Sequence, residues 1–211
     1  MMSPLLRHRL RAAALAAAFY AGRAGFAGEG PDAGLTAAER TAVVETVTRS
    51  SSLGASLAGS RYRVFAVGTA VTKVAGGVRR EAHTLLYDYT NDKTYHVVND
   101  ITAGVPGAVI ETSALDTQLP PHPEESAEAR ALVQALPQVQ QLMRLPDVVL
   151  RDGFPVDGAS PPCHEHRCLQ IQVNQIPPGA NGVFLLLVTV DMSARQVVEV
   201  REPKRPTSLA R

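Results

Sequence analysis

Residues 163–168 read Cys163-His164-Glu165-His166-Arg167-Cys168, the densest run of metal-ligating and redox-active side chains in the sequence. Two chemistries fit it. Two imidazoles and two thiolates can hold copper or zinc, which would make Cys163, His164, His166 and Cys168 the ligands. Alternatively Cys163 and Cys168, the only cysteines, close a disulfide that pins a loop after Pro161-Pro162. Closing so short a loop stabilises by on the order of 2 kcal/mol in the chain-entropy picture. In an extended strand the two sulfurs would face opposite sides, so the bond requires the segment to turn. The metal reading requires both thiols to stay reduced, or other ligands to help the two histidines. With the disulfide formed, His164 and His166 remain as a weak, exposed copper site. The expectation is that the chain carries no cofactor, with copper on this run as the alternative.

The other histidines carry blander readings. His83 and His96 fall on two paired strands and read as sheet or surface residues, and His122 sits among prolines as a linker residue. No glycine-rich phosphate loop, nucleophile elbow or zinc-protease helix occurs. Ser50-Ser51-Ser52 reads as the fraying end of a helix rather than as a nucleophile, because serines compete with the helical backbone. The sequence therefore points to no catalytic residues.

Composition narrows the partners. The chain has 211 residues, 45% hydrophobic, enough for one large domain or two small ones with cores. A formal net charge of +1 offers no field for nucleic acid or an anionic membrane. With no tryptophan and 5% aromatics, base-stacking platforms are not expected either. No oligomeric state follows from the sequence.

The amino terminus reads as an export signal over residues 1–27. Arg7, Arg9 and Arg11 precede an apolar run, Ala12–Ala21, and Gly25-Phe26-Ala27 is a suitable cleavage tripeptide. The run is short for a membrane span, so no stable anchor is expected once the signal is cleaved. The competing readings are an amphipathic surface helix and an uncleaved anchor. Export implies a secreted or periplasmic location, where disulfides form. Residues 28–34 then make a flexible mature terminus.

Two lobes follow. In the first, residues 35–118, Thr36 and Glu39 fit a capping box. Ala38, Ala42, Val43 and Val47 recur at helical spacing, and Gly54–Ser60 reads as a loop. Phe65, Val67, Thr69 and Val71 alternate with polar neighbours, as in a half-buried strand. Leu85–Val98 reads as a hairpin turning at Asn91-Asp92, residues that tolerate positive φ. Ala108–Gln118 is a fourth strand or a crossing linker.

The second lobe, residues 119–202, opens with Leu119-Pro120-Pro121-His122-Pro123. Glu124–Leu136 reads as a helix, with Ala131, Leu132, Ala135 and Leu136 apolar and Glu124, Glu125 and Glu128 near its favourable amino end. Pro137 starts a short helix with Val139, Leu142 and Met143. Val148–Leu150 is a brief strand, Gly153–Pro162 an irregular loop, and Leu169–Val173 an alternating strand. Val183–Asp191 is apolar enough for a central strand, and Gln196–Arg201 returns beside it. Residues 203–211 read as a polar tail. The fold class is α+β, each lobe a helix on an antiparallel sheet. The hairpins at Tyr87-Asp88…Lys93-Thr94-Tyr95 and Val190-Asp191…Arg195-Gln196-Val197 align with loops that differ by one residue, which fits either two related lobes or two ordinary hairpins.

These segments resemble, in order, the second and third domains of copper amine oxidases, the small domains that precede the catalytic β-sandwich. Leu35-Thr36-Ala37-Ala38-Glu39 is similar to the opening helix. Arg61–Phe65 with Lys73, and Arg79-Arg80-Glu81-Ala82, are similar to the first strands. Tyr87-Asp88, Asn91 and Thr94-Tyr95 resemble the tyrosine–aspartate hairpin. Pro120-Pro121, Glu128-Ala129, Ala131-Leu132-Val133, Pro137, Val139 and Leu142 resemble the start of the next domain. Val188, Val190-Asp191 and Val197–Val200 resemble its last hairpin. The resemblance implies two cystatin-like lobes. It does not imply amine oxidation: the family's quinone is made from a tyrosine following an asparagine, and here the asparagines precede Asp92, Asp100, Gln175 and Gly182. His164-Glu165-His166 has the spacing of two of the family's copper ligands but lies in the small-domain part. The glutamine-x-valine-x-glycine loop of cystatin inhibitors is not matched by Gln170–Asn174. The expectation is a secreted, non-catalytic accessory or binding protein whose partner is another exported protein. The alternatives are a copper-handling protein using the Cys163–Cys168 loop and an enzyme of unknown type.

Overall fold

The computed structural model describes residues 34–49, 53–103, 109–115, 118–156, 161–179 and 181–202. The expected signal peptide, most of the mature terminus, Ser50–Ser52 and the polar tail lie outside these residues. The described chain divides into two units. One holds its residues up to Leu86 together with Tyr95–Leu115, the other Tyr87–Thr94 and the residues after Asp116. The architecture is α+β with two lobes, each a four-stranded antiparallel sheet with a helix nearby.

The first lobe begins with α1 (Ala37–Arg49) and α2 (Leu53–Leu57), followed by β1 (Tyr62–Val74), β2 (Gly77–Asp88), β3 (Lys93–Asp100) and β4 (Val109–Leu115), in sheet order β1-β2-β3-β4. The capping box forms. Thr36 N–H donates to Glu39 Oε2 at 2.8 Å, and Glu39 N–H donates to Thr36 Oγ1 at 3.1 Å. The core gathers Val43, Val47, Leu53, Leu57, Val67, Ala82, Leu86, Val97 and Ile101. Ala38 is exposed, so the helix stripe is narrower than its spacing suggests.

Two further expectations are corrected here. Gly54–Ser60 contains α2, because Leu53 and Leu57, one helical turn apart, both enter the core. Gly54 makes this possible: a Cβ there would stand 2.9 Å from Thr48 O and 2.8 Å from Arg49 C. Along β1 the alternation fails. Val67 is buried, whereas Val71 and Val74 are exposed. Helix α1 spans about 20 Å, and a 13-residue strand about 43 Å. The far end of β1 therefore outruns the helix that would cover it. Residues 109–115 form the fourth strand rather than a linker.

The second lobe contains α3 (Pro123–Gln134), α4 (Pro137–Leu142), β5 (Val148–Val156), β6 (Cys168–Gln175), β7 (Val183–Asp191) and β8 (Gln196–Arg201). Its sheet is an antiparallel meander, β5-β6-β7-β8. The alternation of β6 holds, with Leu169, Ile171 and Val173 buried. Strand β5 is longer than expected. It runs through Gly153 to Val156 by way of a register shift between Asp152 and Pro155. A Cβ on Gly153 would fall 1.5 Å from Gln170 O, so only glycine lets the strand pass this close.

Helix α3 buries a different face from the one its alanines and leucines suggest. Glu125, Ser126, Ala129 and Val133 are buried, whereas Ala131 and Ala135 are exposed. His122 is the N-cap rather than a linker residue. Its Nδ1 accepts from Glu124 N–H at 3.3 Å, and Glu125 Oε2 accepts from His122 N–H at 3.3 Å. In α4 Val139 is buried, but Met143 beyond its end is exposed. No helix among the described residues is long and apolar enough to cross a membrane.

Candidate functional site

The Cys163–Cys168 segment resolves into separate pieces. Glu165 N–H and His166 N–H both donate to Pro162 O, at 3.0 and 2.9 Å, which wraps the backbone into a turn. The turn brings the cysteine Cα atoms to 5.4 Å, and the two sulfurs form a disulfide. Their thiols are therefore not available as thiolate ligands in this form. His164 lies outward, with Nε2 3.1 Å from Glu165 Oε1. His166 turns toward the turn between β7 and β8, and its Nδ1 lies 2.7 Å from Asp191 Oδ2.

Around His166 the second unit assembles a polar cluster from three segments distant in sequence. Asp92, at the tip of the β2–β3 hairpin, has Oδ2 3.8 Å from His166 Nε2. Its Oδ1 accepts from Tyr87 Oη at 3.0 Å and from Ser193 Oγ. Asp191 is fully buried, and its Oδ1 accepts from Ala194 N–H at 2.8 Å. The hydrogen bond to Asp191 raises the His166 pKa despite partial burial, and the charges of Asp191, Asp92 and Glu165 add to it. Burial pushes the Tyr87 phenol strongly upward, and the Asp92 charge adds to that shift. Tyr87 is therefore a neutral donor at any ordinary pH.

Local turn chemistry positions these groups. Asp88 holds the hairpin tip by accepting from Thr90 N–H at 2.9 Å and Asn91 Nδ2 at 2.7 Å. Asp92 takes φ 50, as its neighbourhood demands. The β7–β8 turn repeats the device: the Asp191 carboxylate accepts from Ala194 N–H, and Arg195 takes φ 57.

Next to this cluster is a fully buried ion pair. Arg167 grips Glu125 in a fork, Nε to Oε1 at 2.5 Å and Nη2 to Oε2 at 2.7 Å, with both side chains at 0% exposure. Two further bonds hold the guanidinium. Nη1 donates to Gln118 Oε1 at 3.1 Å and Nη2 to Pro120 O at 3.2 Å. Tyr89 Oη donates to Glu125 Oε1 at 2.9 Å, and the guanidinium carbon stands 5.5 Å from the Tyr87 ring centre. Such a pair persists in a dry interior because hydrogen bonds to its surroundings add to the pair's own attraction.

The sequence reading missed Asp92, Tyr87, Asp191, Ser193, Glu125 and Arg167 as a group. One signal was present: Glu125 shares a helical stripe with Ala129 and Val133, which marks it as inward-facing. The other members are joined by tertiary contact alone. As chemistry, the arrangement offers an imidazole held between two carboxylates and a hydroxyl bonded to one of them. Ser193 donates to Asp92, which differs from the serine–histidine bond that nucleophile activation needs. Among the described residues no three His, Cys, Asp or Glu side chains gather as a metal site. No family model matches the chain, and no curated protein matches it.

Proposed function

We propose that this chain is an exported, two-lobed binding or accessory module without a catalytic centre of its own, resembling the small amino-terminal domains of copper amine oxidases and serving another exported protein. The supporting observation is the inward bonding of its most reactive-looking cluster. The Ser193 hydroxyl and the Tyr87 phenol both donate to Asp92, and His166 is paired with Asp191. A nucleophile or general base needs a lone pair aimed at substrate, whereas these groups hold two turns together. The disulfide adds to the case for an oxidising compartment.

The test is a turnover screen of the air-oxidised mature chain, beginning at Gly28, against amines and ester, peptide and phosphate substrates. The expected result is no turnover above buffer. Turnover that disappears on His166→Gln would overturn the reading. Copper(II) calorimetry on the same material addresses metal handling. Heat at the level of nonspecific histidine binding is expected. Tight one-to-one binding abolished by replacing both His164 and His166 with glutamine would put copper handling in its place.

A further inference from the structure

His83 and His96 stand on adjacent strands β2 and β3 in the first unit, and both are more than nine-tenths buried. His83 Nδ1 lies 3.0 Å from His96 Nε2. The ring planes are within 15° of each other, with centroids 5.2 Å apart. Subtracting one ring radius at each end of the centroid separation leaves little less than the nitrogen–nitrogen distance, the shortest that such a separation allows. Both nitrogens therefore lie near the line joining the centroids, and the rings meet head to head rather than stacked.

The tautomers follow from the neighbours. His83 Nε2 faces Glu81 Oε2 at 3.4 Å. Thr72 Oγ1 donates to that oxygen at 2.8 Å, and Arg79 Nε donates to Oε1 at 2.8 Å. Both Glu81 oxygens already accept, so the carboxylate presents an acceptor to His83 Nε2; this favours the proton of His83 there and leaves Nδ1 as a lone pair that accepts from His96 Nε2–H. At 3.4 Å the carboxylate stands behind the imidazole at ion-pair distance, with the lone pair in front, on the side from which outer-shell carboxylates raise ligand basicity in metal sites.

We propose that His83 and His96 form a linear, two-coordinate site for a monovalent d¹⁰ cation, copper(I) or silver(I), which takes the place of the shared hydrogen. On binding, His96 carries its proton on Nδ1 instead of Nε2. Two nitrogen–metal bonds form, one N–H···N bond is lost, and no electron or net proton is exchanged. Bonds of about 2 Å each require the rings to part by about 1 Å. Glu81 offsets the cation's charge on one side, with Arg79 bound to its far oxygen. Two opposed nitrogens are a poor start for the tetrahedron zinc prefers. Among the described residues no third His, Cys, Asp or Glu joins them.

The probe is silver(I) in chloride-free buffer, which leaves the disulfide oxidised, added to the full mature chain labelled with ¹⁵N-histidine. One equivalent is expected to shift His83 Nδ1 and His96 Nε2 together. Glu81→Gln is expected to weaken binding about 10–100-fold, and replacing His164 and His166 with glutamine to leave it unchanged. Saturating silver that moves neither resonance overturns the proposal. So does undiminished affinity in His83→Gln, with circular dichroism showing the variant folded. The result is independent of the copper(II) and turnover tests, because it reads different residues and a different ion.

Discussion

Arg167→Met is the most informative perturbation. The methionine fills much of the arginine's volume but leaves Glu125 at 0% exposure without its two-pronged partner. Tyr89 can still donate to Glu125 Oε1, and His122 N–H to Oε2, but neither neutralises the charge. Gln118 Oε1 and Pro120 O lose a donor at the same time. Removing one member of a buried pair costs about 3–5 kcal/mol, a large fraction of the roughly 5–15 kcal/mol that holds a protein folded. With a urea slope of about 2 kcal/mol per molar, the unfolding midpoint should fall by roughly 1.5–2.5 M. The double replacement Arg167→Met with Glu125→Met removes both charges and should recover most of the loss, because the pair's attraction largely repays its own desolvation. The assay is urea unfolding of the air-oxidised chain followed by circular dichroism, read as a double-mutant cycle. A single-variant loss under about 1 kcal/mol, or a double variant no more stable than the single, would refute the argument that the pair is dry and mutually dependent.

Three further outcomes follow from the same geometry. Replacing both Cys163 and Cys168 by serine should cost on the order of 2 kcal/mol in the urea midpoint, and reductant should reproduce the loss in the parent protein. Gly153→Ala should destabilise by about 2 kcal/mol or more, because its Cβ would occupy the place of Gln170 O; hydrogen exchange should then show Asp152–Val156 opening first. The pairing of Glu39 with Arg80, at 2.6 Å, lowers its pKa from 4.5 to about 2, helped by the Thr36 amide. A depressed carboxylate contributes stability that is present above the unfolded value and lost as pH falls through the folded one. Acid unfolding between about pH 4.5 and 2 should therefore show a step that Glu39→Gln removes.

How much of this was legible in the residues depends on how far each signal reaches along the chain. The Thr36–Glu39 capping box, the alternation of Leu169, Ile171 and Val173, the apolar run of β7 and the turn at Asn91-Asp92 are all decided within a few residues. Backbone geometry and side-chain periodicity act at that range, so these elements, and the α+β arrangement they build, could be read directly. The disulfide was one of two open alternatives for the same six residues. Choosing it required the turn at Pro162, which brings Cys163 and Cys168 within bonding distance.

Tertiary structure decided what the polar side chains do. Glu125 reads as an acid suited to a helix start, and only the arrival of Arg167, 42 positions on, makes its burial tolerable. His166 looks like half of a His-x-His ligand pair, yet its Nδ1 and Nε2 face the carboxylates of Asp191 and Asp92. His83 and His96 read as ordinary sheet residues until strand pairing sets their nitrogens head to head. Gly153 reads as loop punctuation, whereas the close passage of Gln170 makes it the point at which β5 can continue. A hydrophobic residue needs only an interior, which periodicity along its own segment can indicate. A buried charge or imidazole needs a particular partner at hydrogen-bond distance, and folding brings that partner from a segment far away in the sequence.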